Sequence, residues 1–228
     1  MRRALVLFAS SASLALAHAC EGGELDAFSA TGTGGQGGTL TGGTSGVPTG
    51  GSAFGGEGGA SPDSLLIDDF EDGDRFASLN HGEWFVSNDS TGNQSLGVAR
   101  PSVAREGSVY AIHTSGVGFE RFAALVCDIS GTAASFDASA YPAITFVARA
   151  EPGSARAVHL SFYANNVNFA VPLTFRDTWE RHTIKFTDAL PVEDPNARLD
   201  TRAIAAIQFN VTSGTSFDFW LDDLAFVR

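Results

Sequence analysis

The sequence from about Ser64 to Arg228 predicts an all-β domain. Short runs rich in Val, Ile, Phe and Thr follow one another and are separated by turn residues. Several of these runs alternate apolar and polar residues with a period of two, which indicates antiparallel sheets with one buried face. Only the segment from Leu199 to Ala206 could support a helical turn. Many short strands without helices predict a two-sheet antiparallel jelly-roll β-sandwich.

Ten strands are predicted along this region. In the run 156–163, Leu160 would face the core while His159 and Tyr163 face the other side. In the run 203–211, Gln208 and Asn210 would likewise face away from the core. The ten runs are 65–70, 84–87, 108–114, 121–129, 143–149, 156–163, 167–175, 180–187, 203–211 and 216–227.

The last strand contains a change of phase. Phe217, Phe219 and Leu221 share one parity, whereas Leu224 and Phe226 share the other. The change falls at the pair of aspartates 222 and 223. A β-bulge there would return the later residues to the core and redirect both carboxylates.

Residues 1–19 have the pattern of an export signal. Arg2 and Arg3 precede an apolar stretch, Ala4 to Ala17, that is too short for a comfortable transmembrane span. The residues that follow, ending in Cys20, resemble a bacterial lipobox, in which the cysteine becomes the acylated first residue. Ordinary cleavage after Ala19 is the alternative. The lipobox predicts a protein that is secreted across the inner membrane and lipid-anchored to the cell envelope, at the outer membrane or cell surface.

Residues 20–63 are predicted to be a flexible, disordered tether. Sixteen of the 26 glycines lie between Gly22 and Gly59, with almost no apolar residues to bury. A coil of this length spans on the order of 35–40 Å. The globular region 64–228 then has the size of one domain. Its one cysteine, Cys127, lies in an apolar run and is predicted to be a buried free thiol.

The charge of the chain excludes some classes of partner. The net charge is -12, with a pI of about 4.6. Nucleic-acid binding needs basic patches, and an anionic membrane surface would repel such a domain. Neutral or cationic partners fit, although acidity also serves solubility alone.

Acidic residues interrupt the first and last predicted strands. If these strands are neighbours, carboxylates from both ends of the domain could converge on a structural Ca²⁺, which prefers such oxygen ligands. Glu71 and Asp223 are the first choices for this site, followed by Asp69 and Asp222. The alternative is a set of solvated charges that discourage edge-to-edge pairing.

The polar sides of several strands could together form a sugar-binding face. Such sites combine aromatic faces that stack on sugar rings with amides that bond hydroxyl groups. The alternative is an ordinary solvated sheet face, and Trp84, Trp179 and Trp220 are expected in the core or at corners instead. The candidate ligand-binding residues are Tyr163, His159, Asn168, Gln208 and Asn210 on strands, with Asn165 and Asn166 in a loop.

Several segments in order resemble the galactose-binding-like jelly rolls of carbohydrate-binding modules, in particular family 11 modules and similar domains of myxobacterial-type lipoproteins. The resemblance implies a sugar-binding jelly roll with a Ca²⁺ between its first and last strands. The matching segments are Ile67 to Asp74, Gly82 to Phe85 with Asn88 and Asp89, Ala111 to Phe119, Phe136 to Phe146, Trp179 to Arg181 and Phe217 to Phe226.

Three functions are compatible with this sequence. The first is a non-catalytic, membrane-tethered lipoprotein that binds a polysaccharide or other glycan. The second is an envelope structural or protein-interaction domain without sugar binding. The third is a polysaccharide hydrolase, although no G-x-S-x-G, H-E-x-x-H, P-loop or C-x-x-C motif is present. An enzyme is therefore not expected.

Overall fold

The structure is a computed structural model, and it describes residues 63–212 and 216–228. All of them belong to the second of two compact units of the chain, Gly58–Arg228. The predicted signal peptide, Cys20 and the tether up to residue 62 lie outside the described residues.

The described residues form twelve β-strands, and each of the ten predicted strands has a counterpart among them. The strands are β1 (Ser64–Asp68), β2 (Trp84–Asn88), β3 (Asn93–Ala99), β4 (Ala111–Val117), β5 (Phe122–Asp128), β6 (Ala143–Ala150), β7 (Ala157–Ala164), β8 (Val167–Thr174), β9 (Glu180–Lys185), β10 (Leu190–Pro191), β11 (Ile204–Thr212) and β12 (Phe217–Val227).

These strands form two antiparallel sheets. The first sheet has the order β3-β4-β12-β6-β9, and β1 also pairs with β12. The long strand β12 pairs with β4 along Phe217–Leu221 and with β1 along Leu224–Val227. The second sheet has the order β10-β8-β7-β11-β5-β2. The predicted jelly-roll sandwich is confirmed, and its first and last strands are neighbours.

Aromatic side chains fill the space between the sheets. Phe146 of the first sheet meets Phe209 of the second edge-on, with ring centroids 5.2 Å apart. Edge-to-face packing of this kind adds to the stabilisation from burial. Cys127 joins this core with no exposed surface, and burial raises the pKa of its thiol well above the usual value. The prediction of a buried free thiol is confirmed.

The predicted bulge in β12 is also confirmed. The pairing of β12 with β6 shifts register between Asp222 and Ala225, and Asp223 has a φ of 48°. Because of this extra residue, Leu221 before the bulge and Leu224 after it are both fully buried.

The sequence did not predict two edge strands, and one predicted strand starts later than expected. β3 is polar and contains Gly97, and β10 has only two residues and ends in proline. Because an edge strand needs few apolar residues, neither has the apolar pattern used to predict strands. β4 begins at Ala111 rather than residue 108.

The predicted helical turn is a short 3₁₀ turn, Thr201–Ala203. No helix within 63–212 or 216–228 has the length and apolar character required to span a bilayer.

Candidate functional site

Five of the predicted ligand-binding residues lie together on the outer face of the second sheet. They come from three adjacent strands, because β8 pairs with β7 and β7 pairs with β11. Their neighbours along each strand, such as Leu160 and Phe209, are fully buried between the sheets. The parity of the strands therefore directs this polar set outwards. The five residues are Asn168 of β8, His159 and Tyr163 of β7, and Gln208 and Asn210 of β11.

The register brings these residues into contact positions. Tyr163 lies directly opposite Asn168, and His159 lies opposite Asn210. Gln208 lies opposite Ser161, between the two rows. Side chains at directly opposed positions are about 5 Å apart at their Cβ atoms. The predicted residues thus form one continuous patch.

Small residues form the floor of this face. Ser161, Ala124 and Val126 lie on the outer side of the sheet, but they are only 4%, 2% and 4% exposed. Larger neighbours such as Gln208 flank them and screen them from solvent. The larger polar side chains therefore form the accessible surface of the face.

Aromatic rings stand on either side of this floor. Tyr163 lies on β7, and the half-buried Phe85 lies on β2, opposite Val126. Three strand spacings, or about 14 Å, separate β7 from β2. The sequence analysis missed Phe85. Alternation after the core residue Trp84 could have placed Phe85 outwards, but the position of β2 in the sheet could not be read from the sequence.

The face contains polar groups without protein partners. The Oδ1 atom of Asn168 is buried and accepts no hydrogen bond from any described residue. The side chains of His159 and Gln208 likewise form no hydrogen bond with any described residue. Asn210, in contrast, donates from Nδ2 to Ser161 Oγ at 2.9 Å. Buried polar groups are normally paired, so an orphaned acceptor such as Asn168 Oδ1 marks a place for water or a ligand hydroxyl group.

Asn165 and Asn166 form the two-residue turn between β7 and β8. Both have positive φ angles, 51° and 63°, which is the geometry of a tight hairpin turn that asparagine tolerates. Tyr163 donates its hydroxyl hydrogen to Asn166 Oδ1 at 3.0 Å, so the turn holds the tyrosine ring in place. Asn165 is exposed at the end of the face and makes no contact with the other five predicted residues through a described hydrogen bond.

The acidic residues at the end of β1 and directly after it do not point towards a shared centre. Asp68 is buried and accepts from Trp84 Nε1 at 2.8 Å, and burial raises its pKa to about 7. Asp69 accepts from the backbone N–H of Glu71 in a local turn. Phe70, between Asp69 and Glu71, has a φ of 58°, so the extended conformation that would direct both carboxylates to one side is interrupted here.

Glu71 binds the segment that precedes β4. Its Oε1 atom accepts from the Ser108 hydroxyl at 2.9 Å and from the N–H groups of Val109 and Tyr110 at 2.8 and 3.3 Å. Partial burial raises the pKa of Glu71, but these hydrogen bonds outweigh it and the net pKa is below the usual value.

The two aspartates of the bulge bind arginine. Arg105 Nε donates to Asp222 Oδ2 at 2.6 Å, and Arg105 Nη2 lies 3.0 Å from Asp223 Oδ2. Arg181 Nη2 lies 3.3 Å from the same Asp223 oxygen. Burial raises the pKa of Asp222, and its hydrogen bonds and the Arg105 charge act in the opposite direction.

The four predicted metal ligands do not fit a Ca²⁺ ion in this arrangement. A calcium site needs six to eight free oxygen ligands, whereas here a guanidinium group lies between Asp222 and Asp223 and backbone donors occupy Glu71. No group of three or more His, Cys, Asp or Glu side chains within 63–212 and 216–228 could hold a metal ion. The Ca²⁺ hypothesis stays a prediction.

The segment between β3 and β4 covers the outer face of the first sheet. Ser102 donates to Glu151, and the backbone oxygen of Val103 accepts from Trp179 Nε1 at 2.8 Å. Trp220 on this side is only 6% exposed and stacks on His113, with centroids 4.1 Å apart. Trp84 is in the core, as expected. The outer face of the second sheet is therefore the more accessible of the two.

No protein-family model and no curated protein matches the chain. Among solved structures, it is similar to the family 11 carbohydrate-binding module of a cellulosomal cellulase of Clostridium thermocellum, with a TM-score of 0.57 and 16% identity over 74% of this chain and 96% of that chain. A family 11 module from the same organism, in complex with a β-1,3-1,4-mixed-linked tetrasaccharide, matches with a TM-score of 0.56 and 17% identity over 74% and 97%. A family 30 module of another of its cellulosomal cellulases matches with a TM-score of 0.51 and 13% identity over 71% and 95%. The chain therefore contains a jelly-roll domain with the fold of carbohydrate-binding modules.

Proposed function

We propose that the protein binds a polysaccharide on the outer face of the second sheet and does not cleave it. The observation that carries the proposal is the set of unpaired polar groups on this face, above all the buried Oδ1 atom of Asn168 beside Tyr163. The fold shared with carbohydrate-binding modules supports the same function.

The chemistry of the face suits a neutral sugar chain. The rings of Tyr163 and Phe85 offer apolar surfaces on which sugar rings can stack. Between them, Gln208 and His159 offer donors and acceptors to hydroxyl groups. A bound chain would replace the water that solvates these groups when the face is empty.

Binding without cleavage is favoured over hydrolysis. Most glycoside hydrolases use a pair of carboxyl groups on either side of the scissile bond. The described strands of this face carry one outward carboxylate, Asp128, at the end of β5. Its Oδ1 atom already accepts from the backbone and hydroxyl of Ser130. The face thus offers binding groups but no facing acid pair.

The same proposal includes a membrane anchor. Acylation of Cys20 would fix the protein to the cell envelope, and the glycine-rich tether would carry the binding domain away from the lipid headgroups. The ligand would then be a polysaccharide at or outside the cell surface.

The test is a glycan-binding screen of the purified full-length protein. β-1,3-1,4-mixed-linked glucan is the first probe, because a family 11 module binds a tetrasaccharide of this type. We expect saturable binding, weakened about tenfold or more by Tyr163→Ala and several-fold by Gln208→Ala. Titration calorimetry on the best ligand measures both changes.

Tyr110→Ala is the matched control for the tyrosine. This residue lies outside the face, on the segment that covers the first sheet. The Tyr110→Ala variant should bind the glycan as tightly as the unchanged protein does. All variants should keep the circular dichroism of the folded domain. A folded protein that binds no glycan in the screen would disprove the proposal.

Protein interaction is the second candidate, and an apolar cleft favours it. The cleft beside β10 has a volume of about 490 Å³ and is lined by residues such as Phe169, Phe186 and Leu199. Leu190, which also lines the cleft, and the nearby Val192 are 68% and 59% exposed. If the glycan screen is silent, chemical crosslinking in whole cells should recover a protein partner, and Leu190→Asp should abolish that crosslink.

A further inference from the structure

We propose that the guanidinium group of Arg105 takes the place of a structural cation between the ends of this domain, so that the fold does not require Ca²⁺. Three of the four carboxylates that the sequence assigned to a metal, Glu71, Asp222 and Asp223, are instead the docking points of the covering segment, defined as residues 100–110. This inference does not depend on sugar binding.

The position of Arg105 has the chemistry of a cation site. Its Nε and Nη2 atoms reach one oxygen each of Asp222 and Asp223, at 2.6 and 3.0 Å. Its side chain is only 16% exposed, and that of Asp222 is 1% exposed. A buried, ionised carboxylate without a positive partner is strongly unfavourable, so a cation beside Asp222 stabilises its charged form. The planar guanidinium supplies that charge together with directed hydrogen bonds.

The covering segment connects both ends of the chain through these carboxylates. Arg105 binds the bulge of β12, the last strand. Three residues further on, Ser108 and Val109 bind Glu71, which follows β1, the first strand. Strands β1 and β12 are also paired directly. One segment therefore performs the bridging that the sequence assigned to a metal ion.

The bulge matches this role. The φ angle of 48° at Asp223 turns its carboxylate out of the strand and towards Arg105 and Arg181. The Asp223 N–H also donates to Asp222 Oδ1 at 2.8 Å, which leaves Asp222 Oδ2 for Arg105. The two carboxylates are thus arranged for a guanidinium rather than for a multidentate ion.

The first test needs no variant. Thermal unfolding of the full-length protein is measured in millimolar CaCl₂ and in EDTA, and calcium binding is measured by titration calorimetry with CaCl₂ alone. A ligand that binds only the folded state must raise the unfolding temperature. We expect the same unfolding temperature in both buffers and no binding heat. A higher unfolding temperature in CaCl₂, with saturable heat, would overturn the proposal.

The second test removes the internal cation. Arg105→Ala should lower the unfolding temperature by on the order of 10 °C, because it leaves Asp222 buried without its partner. Arg105→Lys keeps the charge but cannot bond both aspartates in the same way. Its unfolding temperature should therefore lie between those of Arg105→Ala and the unchanged protein. Arg75→Ala is the control. Arg75 Nη2 lies 3.5 Å from Glu83 Oε1, and both side chains are about half exposed, so this variant should lower the unfolding temperature by only about 2 °C or less. Equal effects of Arg105→Ala and Arg75→Ala would contradict the proposal.

Discussion

His182 and His159 show how the direction of one side chain sets its chemistry. His159 faces outwards on β7 and belongs to the proposed sugar-binding face. His182 on β9 faces the core, where its ring stacks on Phe146 at 5.2 Å and lies 5.4 Å from Phe175. Its Nε2 atom is buried and has no partner among the described residues. The same residue type is thus a potential ligand group in one strand and part of the core in another.

His182 should make the stability of the domain depend on pH. Burial lowers its pKa below the usual 6.5, and the nearby Glu180 and Arg176 act in opposite directions. Because the unfolded chain then binds the proton more readily than the folded one, the contribution of His182 to the free energy of unfolding falls as the pH drops below about 6.5, whereas Asp68, with its raised pKa of about 7, contributes in the opposite direction. His182→Phe keeps an aromatic ring at this position without the titrating group. The change in the free energy of unfolding from pH 7.5 to pH 5.5, measured by urea unfolding, should be more favourable to the folded state in this variant than in the unchanged protein, because the two differ only at His182.

Thr183→Ala is the control for this experiment, because Thr183 lies on the same strand but faces the opposite side. Its change in the free energy of unfolding between the two pH values should equal that of the unchanged protein. Identical changes for all three proteins would mean that His182 does not titrate in this range.

At the level of the elements, close backbone contacts limit which side chains the loops accept. Gly82 precedes β2, and a Cβ atom there would overlap the backbone oxygen of Asp128 at the end of β5. Gly97 in the edge strand β3 has no neighbour within 4 Å of such an atom. Gly82→Ala should therefore reduce the free energy of unfolding by roughly 1–3 kcal/mol. Gly97→Ala should leave it unchanged or raise it by a few tenths of a kcal/mol.

Chemical denaturation of both variants measures this difference, with glycan binding as a second reading. The two substitutions add the same methyl group, so only the surroundings distinguish them. A Gly82→Ala variant as stable as Gly97→Ala would show that the turn before β2 can move away from β5.

The local parts of the fold could be predicted from the sequence, whereas its long-range parts could not. Alternation predicts which side of β7 carries Tyr163, and the phase change in β12 predicts the bulge, because both depend on neighbouring residues. The order of strands within a sheet leaves no such local signal. For this reason Phe85 was not assigned to the same face as Tyr163. Arg105 was missed for the same reason, since it lies 117 residues from Asp222 in a segment without apolar periodicity.

At the level of the whole molecule, the two outer faces of the sandwich differ in what covers them. Residues 100–110 cover the first sheet, and their Ser102 donates to Glu151, the partner of Arg149, which is 2% exposed. The second sheet carries its polar side chains without such a cover in the described part of the chain. A single sandwich can in this way use one face for stability and the other for binding.

The proposed anchor joins this binding face to the cell envelope, and it depends on one residue. If Cys20 is acylated, the full-length protein expressed with its own signal in a bacterium should sediment with the membranes, and its mature N-terminus should carry the mass of the lipid. Cys20→Ala should release the protein into the soluble fraction, because the acyl chains supply the membrane affinity. Glycan affinity should not change, since the binding face lies in a separate part of the chain.

Cys127→Ala is the matched control, because it removes the other cysteine from the core of the domain and not from the predicted lipobox. This variant should remain with the membranes. If the unchanged protein is soluble and its mature form lacks the lipid mass, cleavage after Ala19 has produced a secreted, unanchored protein. The sugar-binding face would then belong to a free protein outside the inner membrane. The tether would have a role other than holding the domain away from a lipid surface.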